Sequence, residues 1–265
     1  MFADPPIVDC HCHILTARMP FVEDAWIRPD YEYSVESYLG DLDRFGISFG
    51  VIAAASLYGD YNDYTLWALE RHKRLRATLA PDPTTDLPTL RRLKEQGVAG
   101  VRLQFTDRLP LPDFSSFAYS KYLNRLADCG LHVELNASGA HLSQILPALK
   151  GRGINIVVDH FGLLRSPGGM AGEGFQAVLR ALEHGNVWVK ISAGFRLEAG
   201  IPRAAAARLL ALGGAERLLW GSDSPFVGKE QEVSYAATLQ MFQEIIPDSV
   251  TRRRISDTAL RFYFF

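Results

Sequence analysis

The apolar positions of this chain keep changing period. Short runs rich in Val, Ile and Leu, of the kind that form strands buried on both faces, give way to stretches in which apolar residues recur every three or four positions, as on the inner stripe of a helix. The first run is Ile7-Val8-Asp9-Cys10-His11-Cys12-His13. After it, strands are predicted over 49–56, 76–83, 98–105, 131–136, 154–160, 187–192 and 217–223. Ser34 is expected to cap a helix that carries Val35, Tyr38, Leu39, Leu42 and Phe45 on one face and stops at Gly46; Asp86 caps another, with Leu87, Leu90 and Leu93 ahead of Gly97. Further helices fall over 62–73, 115–129, 140–150, 173–183 and 202–213. The tail, 258–265, is either a last helix docked on the fold or a contact for a second copy. Residues 14–33 lack periodicity, and their Phe21, Trp26, Tyr31 and Tyr33 suit an ordered pocket wall as well as packing between loops.

Strand and helix patterns thus alternate along the whole chain without a break in composition, which predicts a single α/β domain over 1–265, a (β/α)8 barrel. A doubly wound open sheet is the competing topology. It would place a Gly-rich phosphate turn after the first strand, where this chain has His-Cys-His.

Composition narrows the partners more than the fold. A formal net charge of -2, with both signs interspersed, leaves no basic face for nucleic acid or an anionic membrane, so a small molecule is the expected partner and a homo-oligomer stays open. The first six residues do not read as a secretory signal, and no apolar run approaches the length of a membrane span, so a cytoplasmic location is expected. Cys10 and Cys12 alternate with His11 and His13; strict strand alternation sends the cysteines to the opposite face, as packing residues and not as a zinc knuckle.

In a (β/α)8 barrel the working face is the carboxyl end of the strands. His11 and His13 converge there from strand one, Arg102 comes from strand four and Arg108 from the loop after it, His160 ends strand six, Arg196 follows strand seven and Asp223 ends strand eight. Each has a plainer reading: His160 as a core histidine, Asp223 as a turn cap, Arg108 and Arg196 as solvated side chains. A guanidinium on a buried strand needs an anion, so Arg102 requires a structural carboxylate such as Asp9 or else a substrate carboxylate. His72, His132, His141 and His184 are expected away from the rim.

Taken together, the His-x-His at 11–13, Val-Asp-His-Phe-Gly at 158–162, Trp-Val-Lys-Ile-Ser at 188–192 and Trp-Gly-Ser-Asp-Ser-Pro at 220–225 resemble the amidohydrolase superfamily, in particular its 2-pyrone-4,6-dicarboxylate lactonase branch. The resemblance implies a hydrolase that opens a lactone. Asp223 matches the carboxylate that activates water, His11, His13 and His160 match the histidines around the scissile carbonyl, and Arg102, Arg108 and Arg196 match arginines that hold substrate carboxylates. Leu163 and Asn136 stand where dicarboxylate lactonases of this branch carry an arginine and a tyrosine, which implies a different lactone, with one carboxylate. Metal-dependent members complete their site with a histidine or modified lysine at the end of strand four or five. Here those strands end in Leu103-Gln104-Phe105 and Glu134-Leu135-Asn136, so catalysis without a metal is the preferred expectation. The alternative is a zinc-dependent amidohydrolase or decarboxylase with His11, His13 and Asp223 as ligands; a degenerate barrel used only for binding is more distant.

Overall fold

Eight parallel strands follow one another around the sheet in chain order: β1 (Val8–Cys12), β2 (Phe49–Ala53), β3 (Leu75–Leu79), β4 (Val98–Phe105), β5 (His132–Ala137), β6 (Ile156–Val158), β7 (Val187–Ile191) and β8 (Leu218–Trp220). The structure, a computed structural model, describes residues 4–105, 111–164 and 168–265. β8 closes on β1 through residues just past the ladder: Asp223 N donates to His11 O (2.8 Å) and His13 N to Ser224 O (2.7 Å). The two motifs that carry the candidate chemistry therefore form the seam of the (β/α)8 barrel.

The caps expected at Ser34 and Asp86 are in place, and Ser116 caps the helix expected over 115–129. Ser34, Asp86 and Ser116 accept from the backbone N–H three residues on, which satisfies donors that no helical carbonyl can reach. One helix was not anticipated, Tyr235–Ile245, capped by Ser234. The terminal helix begins at Ser249, well before 258. Its Phe262, Tyr263 and Phe264 pack against the amino-terminal end of the barrel with Val8, Phe49 and Trp188, which is the docked alternative for the tail.

Strands two, three, six and eight end earlier than expected. After β6 the chain enters a left-handed turn, with φ of 51° at His160, 57° at Phe161, 78° at Gly162 and 49° at Leu163; Asp223 beyond β8 also has a positive φ, 64°. For residues other than glycine this geometry costs about 1–2 kcal/mol each, so packing must hold it in place. Phe161 is fully buried in the core.

Strict alternation fails in β1. Its register against β2 shifts between Asp9 and Cys12, where three steps along β1 oppose two along β2 (Asp9↔Gly50, Cys12↔Ile52). The cysteines are consequently split and not, as expected, together: Cys10 packs with Val8, Val51, Ala99, Val157 and Leu219, while Cys12 joins the larger core and lies against Tyr38 of the helix Val35–Phe45. Both are free and buried, as packing residues should be.

Residues 14–33 are ordered by backbone bonds between Leu15 and Tyr33 (2.9 Å each way), by Phe21 stacked on Tyr58, and by Tyr31 Oη donating to Glu230 Oε1 (2.7 Å). Both roles weighed for the segment are realised, since Trp26 also lines the mouth of the barrel.

Candidate active site

Four side chains surround one gap at the carboxyl end of the barrel. Asp223 Oδ1 lies 3.7 Å from His11 Nε2, 3.7 Å from His13 Nε2 and 3.8 Å from His160 Nε2. These separations exceed a hydrogen bond, so the four atoms enclose room for one small bridging atom. Asp223 is held from behind: Arg196 Nε donates to its Oδ2 (3.1 Å), and Arg196 Nη2 donates to Val227 O (3.0 Å). Gly221 permits the crowding, because a Cβ there would lie 2.5 Å from His11 Cβ.

The three imidazoles differ in what their other nitrogen meets. His13 Nδ1 is 2.8 Å from Ala53 O; a carbonyl only accepts, so Nδ1 carries the proton and Nε2 presents a lone pair to the gap. His11 Nδ1 is 3.0 Å from Lys190 Nζ, an ammonium that only donates, and 3.3 Å from Asp159 Oδ1, a carboxylate oxygen that only accepts; paired with Lys190, His11 carries its proton on Nε2, pointing into the gap, and paired with Asp159 it carries it on Nδ1. His160 Nδ1 meets Ser192 Oγ at 2.8 Å, a hydroxyl that serves either way. Burial disfavours the charged form of all three. The pKa of His11 lies well below that of an ordinary histidine, through burial first and the Lys190 charge second; His13 is lowered to about 4 by burial and then Arg102; His160 is lowered by burial. Near neutral pH they act as neutral donors and acceptors.

Beneath the gap sit four buried charges. Arg102 Nε donates to Asp159 Oδ2 (2.9 Å) and lies 3.0 Å from Glu134 Oε1, and Arg102 Nη1 donates to Ala54 O (2.6 Å). Lys190 Nζ donates to Glu134 Oε2 (2.5 Å) and stands 3.4 Å from Asp159 Oδ1. Burial alone would raise the pKa of both carboxyls, but Lys190 and Arg102 outweigh it and hold Glu134 and Asp159 below the usual range. The structural partner of Arg102 is therefore not Asp9. That carboxylate ties β1 to the chain beyond β8, accepting from Ser222 N (2.8 Å), Ser222 Oγ (2.6 Å) and Tyr235 Oη (2.8 Å).

Of the seven side chains placed at the rim from sequence, His11, His13, His160 and Asp223 meet around the gap, Arg196 holds Asp223 from behind, and Arg102 forms part of the floor. Arg108 lies outside the described residues. Glu134 and Lys190, inside β5 and β7, and Asp159, just past β6, were not expected as site residues; the available signal was an ionisable residue inside or beside an otherwise apolar run. His141 departs from expectation in place: its Nδ1 is 3.2 Å from the carbonyl of Phe105, the last residue of β4, so it sits near the mouth. His132 starts β5 against Phe262 and Tyr263, at the opposite end, as expected. The pocket above the gap holds about 270 Å³ and is walled by Trp26, Asn136, Leu163 and Arg196.

Residues 8–265 match the family Amidohydro_2, described as amidohydrolase. The chain belongs to the amidohydrolase family. Among curated relatives it is 27% identical over 259 residues to a 4-sulfomuconolactone hydrolase from Rhizobium radiobacter, covering 93% of this chain and 86% of that one. It is 25% identical over 276 residues to a 2-pyrone-4,6-dicarboxylate hydrolase from Comamonas testosteroni, covering 97% and 90%. Among solved structures, a probable 2-pyrone-4,6-dicarboxylic acid hydrolase from Acinetobacter baumannii with citric acid bound superposes with a TM-score of 0.94 at 29% identity, over 98% of this chain and 100% of that one. Within this amidohydrolase barrel no described helix is long and apolar enough to cross a membrane.

Proposed function

We propose that this chain is a lactonase that opens a small carboxylated cyclic ester by attack of water. The observation that carries the reading is the gap itself, with Asp223 Oδ1 facing three neutral imidazoles at 3.7–3.8 Å. The substrates named for its hydrolase relatives are lactones, and the Acinetobacter baumannii protein holds a small polycarboxylate, citric acid.

In this mechanism the His11 Nε2–H donates to the lactone carbonyl oxygen and stabilises the charge that develops there. Asp223 Oδ1 accepts a proton from the attacking water, and the His13 Nε2 lone pair orients that water's second hydrogen. The hydroxyl adds to the acyl carbon, the bond to the ring oxygen breaks, and the proton held by Asp223 passes to the departing oxygen. One water is consumed and one hydroxy acid forms. Arg196 keeps Asp223 Oδ2 engaged so that Oδ1 alone faces the water, and with Arg108 it is the candidate holder of a substrate carboxylate. Arg102 has both carboxylate partners already, and its charge acts from below.

A metal-assisted variant has one specific observation in its favour. His11 Nε2 is buried and makes no hydrogen bond among the described residues, while His11, His13 and Asp223 each offer a donor atom within 4.8 Å of the others. This set fits a divalent cation such as Zn²⁺, which when bound would polarise the carbonyl and acidify water. Ring-opening rates across a panel of lactones with zero, one and two acidic groups test the main reading. Turnover of a carboxylated member is expected, and a panel without hydrolysis overturns it. Elemental analysis, with activity before and after chelation, separates the two variants.

A further inference from the structure

The mechanism leaves unused the atoms around His11 Nδ1, and these are arranged for two states. Lys190 Nζ donates to Nδ1 at 3.0 Å. On the same nitrogen, at 3.3 Å, stands Asp159 Oδ1, a buried carboxylate oxygen that lies 3.4 Å from Lys190 Nζ but has no well-aligned donor among the described residues. An acceptor so placed gains from a better-aligned donor, which His11 supplies when its proton is on Nδ1. The other end of the ring carries an orphan, Nε2, facing the gap. A single proton cannot serve both ends of a neutral imidazole. On Nε2 it leaves Nδ1 free to accept from Lys190; on Nδ1 it can be given to Asp159, which turns Nε2 into a lone pair.

We propose that Lys190 and Asp159 are positioning residues that set the tautomer of His11: Lys190 holds the Nε2–H form that donates to a carbonyl, and Asp159 receives Nδ1–H when Nε2 must act as a ligand to a divalent cation. The inference deepens the lactonase reading, on which it rests only for the use made of the Nε2 proton. Neither residue touches the pocket, and both act through the ring. The supports on the far side are fixed: Glu134 holds Lys190 through its Oε2, and Arg102 holds Asp159 through its Oδ2, so each competitor stays within reach of Nδ1.

The test reads the tautomer directly. In protein labelled with ¹⁵N-histidine and stripped of metal, long-range ¹H–¹⁵N spectra, with His11 assigned by loss of its signals in His11→Gln, should show Nδ1 bare and Nε2 protonated. A protonated Nδ1 in that state overturns the role of Lys190. Addition of Zn²⁺ alone should move the proton to Nδ1. In Lys190→Met the metal-free ring should adopt the Nδ1–H form, and an unchanged tautomer overturns the proposal; the wild-type spectrum decides even if this variant fails to fold. In Asp159→Asn the amide oxygen is expected to stay on Arg102, which aims the NH2 at Nδ1 and locks Nε2–H. Zn²⁺ affinity, measured by competition with a chromophoric chelator, should then fall about 10- to 100-fold. Unchanged affinity, or no Zn²⁺ uptake by the wild type, overturns the role of Asp159. None of these measurements uses a substrate, so their failure is distinct from failure of the lactone panel.

Discussion

Asp223→Asn is the most informative single change, because the two carboxylate oxygens have different partners. Oδ2 accepts from Arg196 Nε at 3.1 Å, whereas Oδ1 faces the three imidazoles. An amide in the same place must keep an acceptor toward Arg196, so its oxygen takes the Oδ2 position and its NH2 the Oδ1 position. The gap then holds a donor where the reaction needs an acceptor, and that donor can bond to the His13 lone pair. Shape, the Arg196 contact and the backbone bond from residue 223 N to His11 O survive, and the positive φ of 64° suits Asn at least as well as Asp. Loss of a positioned base costs about 10²- to 10⁴-fold. That corresponds to roughly 2.7–5.4 kcal/mol on the barrier at about 1.36 kcal/mol per decade. Initial ring-opening rates on 2-pyrone-4,6-dicarboxylate or 4-sulfomuconolactone, whichever the wild type opens faster, should show this loss in kcat with KM and Tm nearly unchanged. A kcat within tenfold of wild type, in a variant of normal Tm, refutes the base assignment; a rise in KM with kcat intact moves Asp223 to substrate binding.

Acid should destabilise the fold well above the carboxylate range. His11, His13, His132 and His160 all have pKa values lowered in the folded state, chiefly by burial, so the unfolded chain binds more protons as pH falls below about 6.5 and stability falls with it, until pH passes the lowered values. Asp9, raised by burial, works in the opposite sense, as one group against four. Thermal melts between about pH 7.5 and 5 should show a steadily falling Tm, and a flat or rising profile contradicts this account. Gly221→Ala would put a Cβ 2.5 Å from His11 Cβ and 2.7 Å from its backbone N, which cannot be relieved by a rotamer change. It should cost about 1–3 kcal/mol, read as a lower Tm, and reduce kcat by displacing His11; a variant as stable and active as wild type disproves that crowding. Trp26 is 59% exposed yet walls the pocket, so Trp26→Ala should raise KM about three- to tenfold with little effect on kcat or Tm, in line with roughly 0.5–1.5 kcal/mol for an aromatic contact. A KM within error of wild type removes it from the binding surface.

The barrel was legible because each strand and most helices announce themselves locally. The caps at Ser34 and Asp86 needed only the residues beside them, whereas Ser115 and Ser116 were equal candidates for the third. The reading overshot at the ends of β2, β3, β6 and β8; beyond the last two stand His160 and Asp223 with positive φ, which side-chain pattern does not encode. The helix Tyr235–Ile245 was readable in retrospect from Ser234 and the spacing of Leu239, Phe242 and Ile245. In the site, residues at strand ends were accessible to reasoning because the fold itself nominates them. Pairings were not: Arg102 and Asp159 are 57 positions apart, Lys190 and His11 179, and nothing local in the sequence joins them. The bulge in β1 also escaped, since alternation is an assumption about register, and register belongs to the pair of strands.

The buried quartet of Arg102, Lys190, Glu134 and Asp159 is hard to justify by stability. Its charges cancel, but desolvating four ions can cost more than their attraction returns, and an apolar core of equal volume would often do as well or better. Its effect is felt at the ring above it. The three histidines are chemically identical side chains, all buried and neutral, yet their outer nitrogens meet a carbonyl that cannot donate, an ammonium that cannot accept and a hydroxyl that can do both. With Lys190 as the partner of His11, the consequence at the gap is a lone pair on His13, a proton on His11 and an adaptable nitrogen on His160, set around one carboxylate oxygen. A backbone carbonyl suffices to fix the first and a serine the third. Fixing the second requires a buried cation that donates without accepting, and a lysine can stay charged there only because Glu134 and Asp159 accompany it, with Arg102 balancing the second carboxylate. On the proposed mechanism, the quartet supplies the charges that let one imidazole in a dry barrel keep its proton on the side facing the substrate.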